Sequence, residues 1–279
     1  IFQSEIEVVK MSYEDADKAL KEDQVLSKLN NITKSHKAFR NNNGAIKLDL
    51  PNVDVKLKNK KVDIQIQTES ESRKLVAEMM VIAGRVIAQY ANENKISMPF
   101  LTQEVGSFSE DIMQNKENLT ATQAFQATRC FKQSKITPKA SLHAGLGLPY
   151  YVRVTSPIRR YLDLLVQQQL VRFINNKTTL EDSEIKQRIT QVNAVISRVN
   201  KATRQSIEHF KCLFLKQKPQ WRGKGVIVDL VGNKATILIP ELAMMTRLKL
   251  KSNTQLGDEI ELRVVSINLE NRSIDFKPL

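Results

Sequence analysis

The sequence predicts an α+β fold followed by a small, separate β-barrel, and three observations support this prediction. Residues 70–95 hold the longest helical periodicity of the chain, whereas residues 221–279 form five short runs that alternate polar and apolar side chains. No GxGxxG or GxxxxGK(S/T) motif occurs, which excludes the common glycine-rich nucleotide-binding folds. With 279 residues, of which 41% are hydrophobic, the chain is long enough for one substantial core and a second small domain.

The first elements in chain order are predicted from short patterns. Residues 1–9, IFQSEIEVV, resemble a strand that has no cap and no initiator methionine, so we expect a chain cut from a longer one. Residues 13–40 carry apolar side chains at helical spacing. Residues 44–57 and 60–69 alternate in the manner of a strand pair.

Residues 70–95 predict one long helix with a broad apolar face. The apolar side chains recur at intervals of three and four residues and comprise Leu75, Val76, Met79, Met80, Ala83, Val86, Ile87 and Tyr90. Glu78 lies near the buried side of this face, where a carboxylate is costly unless it is paired. The pattern leaves two interpretations of Glu78 open: a functional residue, or a solvated glutamate at the edge of the face.

The pattern in the middle of the chain predicts turns and helices but does not indicate a catalytic or binding function. A short amphipathic helix is expected near residues 121–131. The segment SLHAGLGLPYYVRV contains Gly145 and Gly147, which we expect to serve tight turns or close backbone approach. A lone histidine such as His143 is more often a hydrogen-bonded structural residue than a general base.

The segment YVRVTSPIRRYLD contains two adjacent arginines after a Thr-Ser-Pro-Ile sequence. We expect Thr155 or Ser156 to cap a helix whose first position is Pro157, which places Arg159 and Arg160 in the first turn. Cations at this end oppose the helix dipole, so the pattern predicts a negative ligand such as a phosphate, which guanidinium groups bind bidentately. The alternative is that Arg160 pairs with Asp163 or another surface carboxylate.

The overall composition favours a polyanionic partner. The chain has 43 lysines and arginines against 30 aspartates and glutamates, a formal charge of +13, which indicates nucleic acid first and a membrane surface second. Cys130 and Cys212 show neither disulfide nor zinc spacing, which fits a reducing, intracellular compartment. No apolar run is long enough to span a membrane, and residues 1–10 do not form a signal peptide.

The segment HAGLGLPYYVRVTSPIRRYLDLLVQQQL resembles the signature of the ribonuclease II and ribonuclease R family of processive 3′-to-5′ exoribonucleases. Further segments match in the family's order, namely MSYEDADKAL, GAIKLDLP, SRKLVAEMMVIAG and VNKATRQSIEHFKCLFL. The resemblance covers essentially all residues and is closest to the cyanobacterial and plastid branch. It implies that residues 1–218 are the C-terminal portion of a ribonuclease II-type catalytic domain and that residues 219–279 are an OB-fold RNA-binding domain.

The resemblance also implies roles for individual residues. Arg159 would contact the scissile phosphodiester and stabilise the charge that develops on it. The residues around it that would bind the neighbouring RNA backbone are Thr155, Ser156, Arg160 and Tyr161. Tyr13 and Glu78 match positions that bind the ribose 2′-hydroxyl, which distinguishes RNA from DNA. On this basis Glu78 is a site residue, and we expect its loss to leave global stability largely intact.

The sequence departs from the family pattern at three places. The family's magnesium-binding spacing, Asp-x5-Asp-x-Asp-Asp, is absent, so the expected Mg2+ would be bound by residues outside this chain, and the chain alone would be inactive. Leu48 replaces a common phenylalanine that stacks on terminal bases, and Thr203 replaces a common glutamate. These departures leave an alternative open, an RNA-binding fragment or degenerate relative without nuclease activity.

The remaining expectations concern the barrel and the partners. Pro219 marks the predicted domain boundary, and the barrel's nearly balanced charge and few aromatic candidates favour electrostatic guidance of RNA over base stacking. Packing of the barrel on the catalytic domain, without a role in RNA binding, is the alternative. We expect single-stranded RNA as partner, no membrane, a monomer that packs against the N-terminal half of the catalytic domain, and a cytoplasmic or organellar stromal location.

Overall fold

The computed structural model describes residues 5, 7–250 and 253–279. Helices and strands follow in the order α1 Tyr13–Ala19, α2 Gln24–Asn42, β1 Val53–Lys58, β2 Lys61–Ile66, α3 Glu71–Glu93, β3 Phe100–Thr102, α4 Glu110–Gln114, α5 Ala121–Cys130, β4 Lys135–Thr137, α6 Tyr161–Ile174, α7 Asp182–Lys216, β5 Arg222–Val231, β6 Lys234–Ile239, β7 Met244–Lys249, β8 Glu259–Asn268 and β9 Ser273–Pro278. Short 3₁₀ helices occupy Ala144–Leu146 and Pro240–Leu242. This mixture confirms the predicted α+β class.

The chain divides into two compact units that do not follow one cut in the sequence. The first unit contains residues 1–46, 69–107 and 131–195, and the second contains residues 47–68, 108–130 and 196–279. Residues of helix α7 therefore belong to both units. Within the described residues, no helix is long and apolar enough to cross a membrane.

Most segments with a clear local pattern form the helix or strand that the pattern predicts. Helix α3 begins after Ser70, whose hydroxyl accepts a hydrogen bond from the amide of Arg73 at 3.3 Å. Helix α2 begins after Asp23, whose carboxylate accepts from two amides of the first turn. Strands β1 and β2 form the predicted strand pair, although residues 44–52 of the first predicted run form no strand, and α5 is the predicted short helix. The strand predicted for residues 1–9 lies partly outside the described residues, and residues 7–9 form no strand.

The core of the first unit packs α3 and α6 against an extended segment. Its buried residues are Ala88, Ala91, Ile96, Met98, Phe100, Val152, Val154 and Val166. Gly84 of α3 makes this packing possible, because a Cβ there would lie 2.3 Å from the carbonyl oxygen of Val152. The backbone at residues 151–152 therefore lies directly against α3, and this contact fixes the segment that leads into TSPIRRY.

The second unit contains a five-stranded antiparallel sheet with the order β7-β6-β5-β8-β9. The outer strands β7 and β9 approach each other, so the sheet is a nearly closed barrel, as the five alternating runs predicted. Its core includes Ile227, Ile237 and Leu262 of the barrel and Leu215 at the end of α7. Trp221, before β5, packs edge-to-face on Phe276 with the ring centroids 5.8 Å apart.

Candidate nucleic-acid interface

The TSPIRRY segment forms a turn ahead of helix α6 and not the first turn of the helix. Helix α6 begins at Tyr161, and its N-cap is Arg160, in an extended conformation. The amides of Arg159 and Arg160 bond to the carbonyl oxygen of Ser156 at 3.3 and 3.0 Å and close the turn. The predicted capping by Thr155 or Ser156, with Pro157 at the first helical position, is therefore wrong.

Asp163 explains where the helix begins. It lies in the first turn of α6 and is only 1% exposed. Its Oδ2 accepts hydrogen bonds from the Ser156 amide at 2.9 Å and from Nε and Nη2 of Arg160 at 3.1 and 2.7 Å. Asp163 thus supplies the negative charge that the helix dipole favours, and it holds the turn against the helix. The carboxylate of Asp163 therefore offsets the charge of Arg160 at this helix end.

The two arginines occupy different environments. Arg160 makes the ion pair with Asp163 that the sequence left open as the alternative to a phosphate contact. Arg159 is exposed, and its guanidinium has one hydrogen bond among the described residues, from Nη2 to the Ser156 hydroxyl at 3.4 Å. Thr155 and Ile158 of the same turn are exposed as well. Arg159 is therefore the guanidinium of this pair that is open to a ligand.

Tyr161 has a partner that the sequence did not suggest. Its hydroxyl oxygen accepts a hydrogen bond from Nη1 of Arg188, on α7, at 2.5 Å. Since the oxygen accepts from Arg188, the hydroxyl proton is free to be donated elsewhere. The exposed Tyr161 and the neighbouring Arg188 add a donor and a cation to the surface at Arg159. No local pattern could have identified Arg188, because it follows Tyr161 by 27 residues.

Glu78 lies at the centre of a buried ionic cluster. Its carboxylate accepts hydrogen bonds from His36 Nδ1 at 2.6 Å and from Arg40 Nε and Nη2 at 2.8 and 2.5 Å. Burial raises the pKa of Glu78, but the hydrogen bonds and charges of Arg40 and His36 outweigh it and leave the pKa below its usual value. The solvated-edge interpretation of Glu78 is wrong, because Glu78 is only 7% exposed.

This cluster also changes the expected effect of losing Glu78. Both its partners are largely buried, and Nε2 of His36 has no hydrogen-bond partner among the described residues. Removing the carboxylate would leave Arg40 buried without a counter-charge, which is strongly destabilising. We therefore expect a large loss of stability in place of the small effect that the sequence suggested. A buried glutamate on an apolar helix face could have signalled a buried cation, although not which one.

Tyr151 is a half-buried residue that precedes the TSPIRRY segment, and its ring packs against Gly84 of α3. It interacts electrostatically with Arg40, the partner of Glu78, and with both members of the Arg160–Asp163 pair. Burial raises the pKa of Tyr151. The charges that act on Tyr151, a residue that the sequence did not single out, thus include Arg160 and the Arg40 partner of Glu78.

Tyr13 lies at the start of α1, beside the N-terminus of α3. The guanidinium of Arg73 is 4.2 Å from the centroid of its ring, and its carbonyl oxygen accepts a bond from the Ser72 hydroxyl at 3.0 Å. The tyrosine side chain is 38% exposed. Its position is therefore fixed by contacts that leave the hydroxyl available to a ligand.

The HAGLGLP segment has the structural role that was predicted. Nδ1 of His143 accepts a hydrogen bond from the Leu146 amide at 3.3 Å, and burial lowers the pKa of His143 to about 4. Gly147 has φ +62°, and a Cβ there would lie 2.4 Å from the carbonyl oxygen of Arg40. Because of this close approach, the C-terminal end of α2, which carries Arg40, packs directly against the HAGLGLP segment.

Comparison with known families and proteins identifies the chain. The RNB domain family matches residues 4–176, and the RNase II-type exonuclease C-terminal S1 domain matches residues 221–279. The chain belongs to the RNB family. The sequence-based resemblance to ribonucleases II and R, and the prediction of the terminal barrel, are confirmed.

Individual relatives agree with the family. An uncharacterized ribonuclease of Synechocystis sp. is 28% identical over 97% of this RNB chain and 42% of the relative. The ribonuclease II, chloroplastic/mitochondrial, of Arabidopsis thaliana is 24% identical over 96% of the chain and 35% of the relative. The chain thus spans less than half the length of these relatives, and the predicted cyanobacterial and plastid affinity is confirmed.

A solved structure agrees with the fold. Mycoplasma genitalium RNase R in complex with ribose methylated single-stranded RNA superimposes with a TM-score of 0.78 at 16% identity. The superposition covers 96% of this RNB chain and 53% of the RNase R chain.

Proposed function

We propose that this chain is the C-terminal, RNA-holding part of a processive 3′-to-5′ exoribonuclease that hydrolyses single-stranded RNA with magnesium. The observation that carries the proposal is the RNB match over residues 4–176, followed by the S1 match over residues 221–279. The RNase R of similar fold that was solved with single-stranded RNA supports that class of substrate.

In this proposal Arg159 stabilises the charge that develops on the phosphodiester, because its guanidinium is exposed and its one hydrogen bond among the described residues is to Ser156. Arg160 is held by Asp163 and positions the turn while it borders the RNA backbone. Thr155, Ser156 and Tyr161 supply polar contacts beside it. Tyr13 and Glu78 recognise the ribose, Tyr13 through its exposed hydroxyl and Glu78 through the one remaining acceptor position of its paired carboxylate.

The magnesium of the proposal does not fit a site in the part of the chain that is described. No group of three or more His, Cys, Asp or Glu residues there could hold a metal ion. Glu78 and Asp163, the buried carboxylates of the first unit, are already bonded to arginines. We therefore assign the magnesium ligands to residues outside these 279.

Three further parts of the proposal concern the context of the protein. We propose that it is a monomer, that these residues pack against the N-terminal half of the catalytic domain, and that it acts in the cytoplasm or an organellar stroma. The organellar stroma is included because one relative is named for the chloroplast and mitochondrion.

A direct test compares the 279-residue chain with the full-length protein. We expect the chain to bind single-stranded RNA, with an affinity that falls steeply with salt, and to release no nucleotides in magnesium. The full-length protein should release nucleotides from the 3′ end. Sustained release by the chain alone would contradict the placement of the metal ligands. Intact RNA after incubation with the full-length protein would favour the alternative, an RNA-binding relative without nuclease activity.

A further inference from the structure

Arg188 of helix α7 is bound to the TSPIRRY segment without being part of it. Its Nη1 donates to the hydroxyl oxygen of Tyr161, the first residue of α6, at 2.5 Å. Among the described residues, this is the one hydrogen bond of the Arg188 side chain, and no carboxylate pairs with it. Arg188 is half-buried, whereas Tyr161 is 40% exposed. The tyrosine is therefore the member of the pair that is more open to a ligand.

The two residues are placed by a buried contact between α6 and α7. The contact is an apolar cluster that consists of Leu162, Leu165, Ile185 and Ile189. All four side chains are at most 9% exposed. Leu162 directly follows Tyr161, and Ile189 directly follows Arg188, so the backbone at both members of the pair is fixed by buried neighbours. Joining the two helices therefore does not require the hydrogen bond between Arg188 and Tyr161.

Arg188 does not pair with the carboxylate that is nearest to it along α7. Glu184 precedes it by four residues, a spacing at which a glutamate and a later cation stabilise a helix. The Oε2 of Glu184 instead accepts a hydrogen bond from the amide of Glu181 at 3.1 Å, at the start of the helix. The guanidinium of Arg188 is thus bound to a neutral hydroxyl. A bond of this kind near the surface contributes little to stability, so stability alone does not explain it.

The group that Arg188 binds distinguishes it from other cations of the first unit that have no carboxylate partner. Arg172, for example, donates to the backbone carbonyl oxygen of Thr178. Arg159 and Arg188 donate to side-chain hydroxyls, and both hydroxyls belong to the TSPIRRY segment. Arg188 is therefore singled out by its bond to this segment and not by its charge.

The hydrogen bond determines what the hydroxyl of Tyr161 can do. A tyrosine hydroxyl has one proton, and an oxygen that accepts from Arg188 directs this proton elsewhere. Accepting from a cation also makes the hydroxyl a stronger donor, because hydrogen bonds in a chain polarise one another. Within the described residues, no group accepts this proton. An anionic oxygen is the acceptor that suits such a donor, and the phosphates of RNA supply it.

We propose that Arg188 is a positioning residue of the exoribonuclease, which fixes the Tyr161 hydroxyl as a donor to a non-bridging phosphate oxygen. The inference rests on the proposed function, in which Tyr161 contacts the RNA backbone. Arg188 follows Tyr161 by 27 residues and lies outside the TSPIRRY segment. It acts through Tyr161 and does not contact the strand itself. Because RNA and DNA both carry phosphates, its effect on the two strands is the same.

The test is a double-mutant cycle on the 279-residue chain. Its variants are Tyr161→Phe, which removes only the hydroxyl, Arg188→Met, which removes the charge and the donors but keeps an unbranched side chain, and the two combined. A parallel control cycle uses Lys186→Met, at an exposed lysine of the same helix, in place of Arg188→Met. Affinities for single-stranded RNA and DNA of matching sequence, and the free energy of unfolding in denaturant, are measured for every variant.

We expect Tyr161→Phe and Arg188→Met each to weaken the binding of either strand about tenfold. When Tyr161 is already phenylalanine, Arg188→Met should cost no more than about twofold, because the hydroxyl that Arg188 positions is absent. Lys186→Met should cost about twofold or less whether or not the hydroxyl is present. The free energy of unfolding should change little throughout. If the coupling appears in unfolding and not in affinity, the pair is structural and the proposal is wrong.

Three other results would contradict the proposal in different ways. If the unaltered chain binds RNA and the losses of Tyr161→Phe and Arg188→Met add, Arg188 acts by its charge alone, so the proposed function stands and the positioning role is wrong. If the losses are confined to RNA, the acceptor is a ribose hydroxyl, and the assignment to phosphate is wrong. If the unaltered chain binds neither strand, the proposed function fails, and the role of Arg188 fails with it.

Discussion

The first compact unit buries seven polar or charged side chains among its described residues, whereas the second buries one, Lys211. Those of the first unit are Thr33, Asn41, Ser72, Glu78, His143, Asp163 and Gln169. Buried polar groups are costly unless their partners are placed accurately, so they fix geometry. The second unit has an apolar core and places unpaired cations on its surface. The geometry of the first unit is therefore fixed by polar contacts, and that of the second by apolar packing.

The largest effect is expected from a substitution that removes a buried ion pair of the first unit. We expect Glu78→Ala to lower the free energy of unfolding by about 3–5 kcal/mol, because Arg40 would remain buried without its carboxylate. Denaturant unfolding of the 279-residue chain measures this. Glu104→Ala is the control, since its pairs with Lys132 and Lys135 are exposed and its loss should have little effect. Equal losses in the two variants would show that the Glu78 cluster does not hold the fold together.

The next prediction concerns the catalytic role that we propose for Arg159 of the first unit. We expect Arg159→Lys in the full-length protein to reduce turnover about 10²–10³-fold, equivalent to about 3–4 kcal/mol, and to change RNA affinity little. Lysine keeps the charge but loses the planar fork. Arg153→Lys, another exposed arginine of the same segment, should retain turnover. Near-normal turnover of Arg159→Lys would remove Arg159 from the proposed chemistry.

A pH effect of slightly smaller size is expected from His143. Burial lowers its pKa from 6.5 to about 4 in the folded chain, so it stays neutral there while the unfolded chain gains a proton. The free energy of unfolding should therefore fall as the pH decreases from about 6.5 to about 4, by up to about 3 kcal/mol. Below about pH 4 the contribution of His143 should no longer change. Denaturant unfolding measured at several pH values in this window should show that the free energy of unfolding depends less on pH in His143→Gln than in the unaltered chain. The same slope in both proteins would contradict the assignment.

Breaking the half-exposed ion pair should have a more modest effect. We expect Arg160→Ala to cost about 1–3 kcal/mol of unfolding free energy, because Asp163 loses two hydrogen bonds but keeps the amide of Ser156. The partial exposure of Arg160 reduces the cost below that of Glu78→Ala. Lys186→Ala, an exposed residue of α7, serves as the control. A cost as large as that of Glu78→Ala would mean that the two carboxylates are equally dependent on their arginines.

The smallest expected effect separates ribose recognition from charge attraction. We expect Tyr13→Phe to narrow the preference for RNA over DNA by about fivefold to tenfold, or about 1 kcal/mol, through the loss of one hydrogen bond. Stability should not change, since the hydroxyl is not part of the contacts with Ser72 and Arg73. Tyr90→Phe, of similar exposure, should keep the ratio.

The elements that the sequence predicted are those with short-range causes. The alternation of residues 221–279 and the periodicity of residues 70–95 are local, and the five strands and α3 follow them closely. The start of α6 was misplaced because a residue further along, Asp163, captures the Ser156 amide with its side chain. A Ser-Pro sequence typical of a helix start therefore forms a separate turn.

The parts of the site that the sequence missed depend on distant partners. Glu78 was recognised as unusual, but its partners Arg40 and His36 precede it by 38 and 42 residues. The hydrogen bond from Arg188 to Tyr161 likewise joins separate elements. The family resemblance predicted which residues would face RNA, but it did not indicate which of them are bound to one another.

Trp221 gives the chain a spectroscopic asymmetry. It is the only tryptophan in the sequence, and its indole packs on Phe276 in the barrel core. Its fluorescence therefore reports on the second unit alone, while far-ultraviolet circular dichroism is dominated by helices such as α2, α3 and α6 of the first. Heating one sample and following both signals would show whether the two transitions coincide. A lower midpoint by fluorescence than by circular dichroism would mean that the barrel can unfold while the unit bearing Arg159 stays folded.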